Sequence, residues 1–351
     1  MKRIVMLFMV VSVWVSAAWA QKSNPAPASG QGRTSAASLL RSLPNTNSVP
    51  GFMNYAKPQG QNPDPNLNMA AKVKVNCSRG ESIQKALNRL NRVSPLSPAL
   101  VTVHGTCNEN VVIQGFNRLT LQAASGATIS DASGGTGAVV DIEDSTDVSL
   151  EGFTINGGAI GVYCGNFSVC RFNGNTIQGA SDADFQAGQA WAYFDENTIQ
   201  DSCYGLVSLE SSYVRSNGGL VVQHNWCAGV YVVTGGAFAA FGTTIRDNDA
   251  LGVYAGTSAS LLLQSTTITG NHWGVYVDAH STADFDRDNA VTGNIGAGVI
   301  VGDLSYAGFP GPNTVTGNPD GDVVCWPQFS ATRGALTNIG GGTTNCAEPQ
   351  P

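Results

Sequence analysis

The chain reads as an all-β protein: a single-stranded, right-handed parallel β-helix of about eight to ten coils with an N-terminal capping α-helix. Two observations predict this. The sequence repeats itself every 22 to 24 residues, and each repeat holds short strands divided by Gly and Asn turns, with no segment of helical period between them. The composition agrees, because only 12% of the 351 residues are charged and 42 are glycine, which suits strands and turns better than helices.

The repeat aligns on the β-branched residue of a recurring Thr-Ile or Thr-Val step. Ile155, Ile177, Ile199, Val222, Ile245, Ile268, Val291 and Val315 follow one another at 22, 22, 23, 23, 23, 23 and 24 residues. A second column is a turn asparagine: Asn225, Asn248, Asn271, Asn294 and Asn318. A third is a glycine followed by a short apolar strand, as in Gly161-Val162-Tyr163, Gly229-Val230-Tyr231, Gly252-Val253-Tyr254 and Gly274-Val275-Tyr276. A propeller blade needs about twice this length, and a leucine-rich repeat would carry a helical half. One coil of three short strands remains, with successive coils about 4.8 Å apart.

In that geometry Val162, Leu206, Val230, Val253, Val275, Val299 and Val323 point inward and stack as an aliphatic ladder. The asparagines share one turn, where Asn tolerates left-handed backbone and amides can bond along the stack. The open edges of the first and last coils need covers. From Ser82 to Val93 the residues Ile83, Ala86, Leu87, Leu90 and Val93 form one apolar helical stripe, with Ser82 as the cap residue. Pro95 and Pro98 end it, and the apolar strand Ala99–His104 follows. The irregular tail beyond Trp326 is placed to cover the last coil.

Residues 1–20 read as an export signal: Lys2 and Arg3, an apolar run from Ile4 to Trp19, and the cleavage triplet Ala18-Trp19-Ala20. The expected organisation is then a flexible Pro/Ser/Asn/Gln-rich linker over 21–71, an N-terminal cap over 72–100, the β-helix over 101–326 and a C-terminal cap and tail over 327–351. The expected location is secreted, periplasmic or at the cell surface. No second stretch is long and apolar enough to cross a bilayer. A net charge of −7 without a basic run argues against nucleic acid as a partner.

All eight cysteines lie beyond the signal, and an even number in an exported chain favours disulfides. Cys77 with Cys107 would clip the cap helix to the first strand. Cys203 and Cys227 hold nearly equivalent places on successive coils, and Cys325 with Cys346 would pin the tail, leaving Cys164 with Cys170. No cysteine spacing resembles a zinc site, and no organic cofactor is implied.

Three sets of surface residues are candidates for function. Asp201, Asp247, Asp249 and His272 could form a carboxylate and histidine cluster of the kind glycoside cleavage needs; equally, they are turn residues beside a solvated histidine. Asp284, Asp286 and Asp288 share an outer face if a one-residue bulge turns Phe285 inward, and could then hold calcium; the alternative is a solvated face. Tyr231, Tyr254 and Tyr276 point outward on consecutive coils, where aromatic rings can pack sugars or simply stabilise one another.

The run Gly80-Glu81-Ser82-Ile83-Gln84-Lys85-Ala86-Leu87, the segment Gly105-Thr106-Cys107-Asn108-Glu109-Asn110-Val111 and the repeated Gly-Val-Tyr strands resemble the pectin-lyase-like superfamily over roughly residues 75 to 330. The resemblance implies a right-handed parallel β-helix whose Gly-Val-Tyr strands form a substrate groove in carbohydrate-active members. Asn271-His272-Trp273-Gly274 is similar to the polygalacturonase histidine motif, but Asn replaces the Gly before His, the Asp-Asp pair is split as Asp247-Asn248-Asp249, and no Arg-Ile-Lys follows. Those departures leave the catalytic roles untransferred. Three expectations remain: a non-catalytic exported protein that binds polysaccharide or serves as a surface scaffold, a polysaccharide lyase or glycoside hydrolase with a diverged site, and an adhesion or structural stalk.

Overall fold

The computed structural model describes residues 71–93, 97–326, 331–333 and 336–346; the expected export signal and nearly all of the expected linker lie outside them. Among the described residues, three parallel sheets of 12, 10 and 10 strands run the length of the solenoid. A typical coil is Ala237–Phe241, Thr244–Arg246 and Leu251–Ala255, after which Ser260–Gln264 opens the next coil on the first face. Alternation decides what each strand buries. Ile155, Ile177, Ile199, Val222, Ile245, Ile268, Val291 and Val315 are all fully buried on the Thr-Ile face, and the aliphatic ladder from Val162 to Val323 is buried on the Gly-Val-Tyr face. Phe172, Phe185 and Phe194 fill the core of the early coils, the first and last stacked at 4.8 Å.

The solenoid begins earlier than the repeat suggests. Cys107 pairs with Ile129 and Ile129 with Ile155, so the Thr-Ile column extends two coils back. These coils escape a sequence alignment because Cys107 replaces the β-branched residue and the loop after Asp131 lengthens one repeat. Strand Ala71–Asn76 also pairs in register with Ala99–His104, ahead of the helix.

Helix α1, Ile83–Val93, lies against the first coil. The Ser82 hydroxyl accepts from the Lys85 N–H at 3.2 Å, as a cap residue should. Glu109 adds a second cap from the solenoid itself. Its carboxylate accepts from the Ile83 N–H at 2.7 Å, the Gln84 N–H at 3.1 Å and the Ser82 hydroxyl at 2.7 Å. A carboxylate at a helix N-terminus also meets the positive end of the macrodipole. We expect Glu109→Gln, which keeps the shape but removes the charge and one acceptor oxygen, to destabilise the cap by about 1–2 kcal/mol. Faster amide exchange over Ile83–Val93 than over the later coils checks this.

The asparagine column forms a continuous ladder. The backbone N–H and side-chain Nδ2 of Asn225 both donate to Asn248 Oδ1, at 3.0 and 2.9 Å. Asn248 repeats this onto Asn271, Asn271 onto Asn294, and Asn294 onto Asn318. The row ends on Asp322 Oδ1, which accepts from Asn318 N–H at 3.0 Å and Nδ2 at 2.9 Å. The left-handed backbone falls one residue earlier than the sequence suggests. Asp201, His224 and Asp247 carry φ of 65°, 57° and 54°, and Gly270, Gly293 and Gly317 continue the row. That turn aims the following asparagine side chain into the corner.

A second asparagine row, absent from the sequence reading, occupies the corner before the Thr-Ile strands. Asn175 donates to Asn197 Oδ1, and Asn289 to Asn313 Oδ1. Leu220, Thr243 and Thr266 stand between these pairs, so no unbroken asparagine column marks the corner in the sequence.

The glycine column has a steric cause. A Cβ on Gly252 would collide with its neighbours at this corner, lying 2.8 Å from Asn271 Nδ2. Asp184 breaks the column. Its strand neighbours pair with those of Gly161 and Gly205, so it sits between these glycines rather than in a turn, as its spacing beside Asp182 implies. The residue is fully buried, Oδ1 accepts from the Ala180 N–H at 3.1 Å, and burial pushes its pKa up to about 8.

All four expected disulfides form, Cys77–Cys107, Cys164–Cys170, Cys203–Cys227 and Cys325–Cys346, with Cα atoms 5.1, 6.6, 4.7 and 5.1 Å apart. The last one holds the tail where Thr344 bridges Val323, which covers the final coil. No helix among the described residues is long and apolar enough to cross a membrane.

Candidate functional site

Register on the Gly-Val-Tyr face makes one outward row. Asp141 pairs with Tyr163, Tyr163 with Gln186, Gln186 with Val207, Val207 with Tyr231, and the row continues through Tyr254, Tyr276, Ile300 and Val324. The three expected tyrosines are therefore brought together. Tyr231 and Tyr254 stack at 5.1 Å and 16°, and Tyr254 meets Tyr276 edge-on at 5.6 Å. Tyr231 and Tyr254 therefore cover one face of each other, and the Tyr254 ring lies down over Gly256.

The row is wider than the sequence implies. Tyr204 joins Tyr231 at 4.9 Å, and Trp273 and Trp326 close on Tyr276 at 6.2 and 6.4 Å. Trp326 remains 51% exposed and supplies open aromatic surface at this end. Glycines let the rings lie down: a Cβ on Gly165 would strike the Tyr163 ring, and one on Gly256 would sit 2.7 Å from the Tyr254 ring. Tyr204 and Trp273 escape the sequence reading because each stands one place ahead of the column glycine. Trp326 escapes because it reaches back from the last strand. Burial raises the Tyr204, Tyr231 and Tyr254 pKa values, and burial with the neighbouring Asp278 pushes Tyr276 up to about 12. These hydroxyls stay protonated; that of Tyr276 donates to Asp278 Oδ2 at 3.2 Å.

The acidic candidates are divided by the asparagine ladder. Asp201 and Asp247 lie in the left-handed corner row on either side of His224, whose Nδ1 is 3.9 Å from Asp201 Oδ1. Asp247 is held by Arg246 at 3.0 Å. Asp249 and His272 follow the ladder asparagines Asn248 and Asn271 on successive coils, both exposed, with the His272 ring 5.5 Å from Trp273.

On the first face, the expected bulge is present: register shifts between Leu263 and Gln264, and Phe285 is fully buried. Asp284 is exposed, Asp286 pairs with Arg287 at 3.2 Å, and Asp288 takes a left-handed φ of 56°. The three carboxylates are not drawn within 4.8 Å of one another. Among the described residues only Cys77, Cys107 and Glu109 satisfy that spacing, and there the sulfurs form a disulfide while the carboxylate caps α1.

A further cluster lies at the other end of the tyrosine row. Burial, with Glu143 beside it, pushes Asp141 up to about 6, and Asp141 Oδ1 is buried without a partner of good geometry. Burial and the carboxylates of Glu143, Glu210 and Asp141 raise Tyr163. Its hydroxyl and Glu210 Oε2 converge over Gly188, where an added Cβ would lie 3.2 and 3.7 Å from them. Asp141 and Glu143 lie in coils before the regular repeat, so no column points to them in the sequence.

Residues 161–319 match a protein-family model described as periplasmic copper-binding protein (NosD). The described residues do not fit a copper site: the described cysteines are all disulfide-bonded, and no cluster of three donors includes a histidine. No curated protein sequence matches the chain. Among solved structures, the A-module of the Azotobacter vinelandii mannuronan C-5 epimerase AlgE6 is similar, with a TM-score of 0.57 at 14% identity, covering 76% of this chain and 92% of that one. Pectate lyase Pel9A is similar at 9% identity and a TM-score of 0.43, covering 80% and 78%. Stacked coils, three parallel sheets and the likeness to the epimerase module together make the chain a right-handed parallel β-helix.

Proposed function

We propose that this is an exported β-helix protein that binds polysaccharide along its Gly-Val-Tyr face without transforming it. The observation that carries the reading is the aromatic row, with rings in contact on successive coils from Tyr204 to Tyr276 and Trp326 reaching back to Tyr276. Tyrosine hydroxyls along the row can exchange hydrogen bonds with sugar hydroxyls, that of Tyr276 as an acceptor, while Trp326 offers ring surface for the apolar face of a sugar. The four disulfides suit an oxidising, extracytoplasmic setting. The mannuronan epimerase named above acts on a polysaccharide, which supports the ligand class without assigning a reaction.

Catalysis is the second reading, favoured by Asp141 alone. A carboxyl with a pKa near 6 beside Glu143 and Tyr163 could act as a general acid or base. On this reading the acid–base pair replaces the Asp201, Asp247, Asp249 and His272 set.

A glycan array followed by product assays separates the two. Binding without new reducing ends or unsaturated products, weakened about three- to tenfold by Trp326→Ala or Tyr276→Ala, is the expected result. Turnover abolished by Asp141→Asn would establish the enzyme instead. Binding to no glycan would leave an adhesion or structural stalk.

A further inference from the structure

On the Gly-Val-Tyr strands from Ala138 onward the acidic and basic side chains are all carboxyls; Lys85, Arg89 and Arg92 belong to α1, which packs on the strand before them, and His272 stands beside Trp273. Between Leu119 and Trp326 the chain has no lysine, and its arginines are Arg171, Arg215, Arg246 and Arg287. None is on a Gly-Val-Tyr strand: Arg171, Arg215 and Arg287 belong to Val169–Asn173, Tyr213–Ser216 and Thr282–Arg287 of the first face, and Arg246 to Thr244–Arg246 of the second. Carboxylates, in contrast, border the row along its length. Glu143, Glu210 and Asp141 act on Tyr163, Asp182 on Tyr204, and Asp278 and Asp303 on Tyr276. At the far end Asp320 Oδ2 and the Trp273 indole nitrogen converge over Gly296, where an added Cβ would lie 3.1 and 2.7 Å from them.

Such a surface repels a polyuronate, whose carboxylates would need lysine, arginine or a bound cation. It attracts a polymer of opposite sign. Aromatic rings beside carboxylates are also the setting in which an ammonium group is held, by the ring face and by ion pairing together. Resting on the polysaccharide-binding reading, we propose that this face recognises a glycan whose sugars carry free amino groups, and discriminates against uronic-acid polymers. The ligand class would then be opposite in charge to the mannuronan named for the structurally similar epimerase. In this assignment the tyrosine row carries the sugar rings, and the flanking carboxylates meet the ammonium groups.

The test is calorimetric titration of the full-length protein with three hexamers of equal length: glucosamine, N-acetylglucosamine and galacturonate, at mildly acidic pH where the free amine is charged. The expected order is glucosamine tightest, N-acetylglucosamine weaker and galacturonate weakest, with the first lead shrinking as salt rises. Glu143→Gln and Asp278→Asn should each lower glucosamine-hexamer affinity about two- to fivefold and leave the N-acetylated hexamer unchanged. The amide oxygen that Asp278→Asn introduces can still accept from the Asp303 N–H, and its NH2 group can donate to the Tyr276 hydroxyl in place of the bond that hydroxyl now gives, so both contacts keep a partner and that arm reads charge rather than folding. A galacturonate hexamer that binds as well as the amine, or an amine hexamer no tighter than its acetylated counterpart, overturns the proposal while leaving polysaccharide binding standing. If none of the three binds, and the array is also empty, the binding reading itself falls and this one with it.

Discussion

Asn248→Ala is expected to destabilise the solenoid by roughly 2–4 kcal/mol, measured as a lower midpoint in denaturant. Asn248 Oδ1 is the acceptor for both the N–H and the Nδ2 of Asn225, and its own Nδ2 donates to Asn271 Oδ1 at 2.8 Å. Truncation leaves buried donors on one side and an under-used acceptor on the other, in a corner with no solvent access. Asn248→Asp tests the polarity of the row. An aspartate can still accept from Asn225 but cannot donate to Asn271 while ionised, so two oxygens would face each other in a buried corner. The aspartate variant should therefore be the less stable of the two at neutral pH and recover as it protonates. At the end of the row Asp322 has only to accept, and its hydrogen bonds from Asn318 and Thr343 outweigh burial to hold its pKa below the ordinary value. Equal stability of the two Asn248 variants at neutral pH would show that the row is not directional.

Asp184→Asn is expected to stabilise the protein at alkaline pH. The native carboxyl is raised by burial from 3.8 to about 8, so the folded state holds a proton that the unfolded chain has lost over most of that interval. Its contribution to stability is fully present below pH 3.8, declines as pH rises, and is lost as pH passes through about 8. The full linkage is on the order of 5 kcal/mol, and local relaxation should reduce the observed figure to roughly 2–4. Asparagine keeps an acceptor for Ala180 N–H and carries no ionisable group. Thermal unfolding of both proteins from pH 5 to pH 9 should show the variant gaining on the native chain as pH rises. Parallel curves would mean that Asp184 does not titrate in this interval.

Legibility followed regularity. The 22 to 24-residue spacing from Ile155 to Val315 revealed the coils and all but the first two steps of the Thr-Ile column, because each of those residues fills the same core place. Cys107 and Ile129 do so as well, but a disulfide replaces the aliphatic at one and a longer loop follows the other. The cap helix was readable from its apolar stripe. Its second cap was not, since Glu109 comes from 26 residues beyond Ile83. The Phe285 bulge was readable because the alternative buries carboxylates.

The functional face divides in the same way. Alternation places Tyr231, Tyr254 and Tyr276 outward on neighbouring coils, so their proximity follows from the repeat itself. The additions of Tyr204, Trp273 and Trp326 depend on side-chain directions across a corner and back from the last strand, which no periodicity encodes.

What the sequence by itself determined is the architecture: a repeating pattern of buried aliphatics admits one closed stack, because a shift of one residue would turn every ladder to solvent. What only the tertiary structure decided is which polar residues share an environment. Asp184 looks like a turn aspartate beside Asp182 yet lies sealed in the glycine column, and Asp141 meets Tyr163 across one coil, from a strand that precedes the regular repeat. The physical reason is that burial and charge are set by neighbours one coil away, roughly 22 residues off in the chain but about 4.8 Å in space.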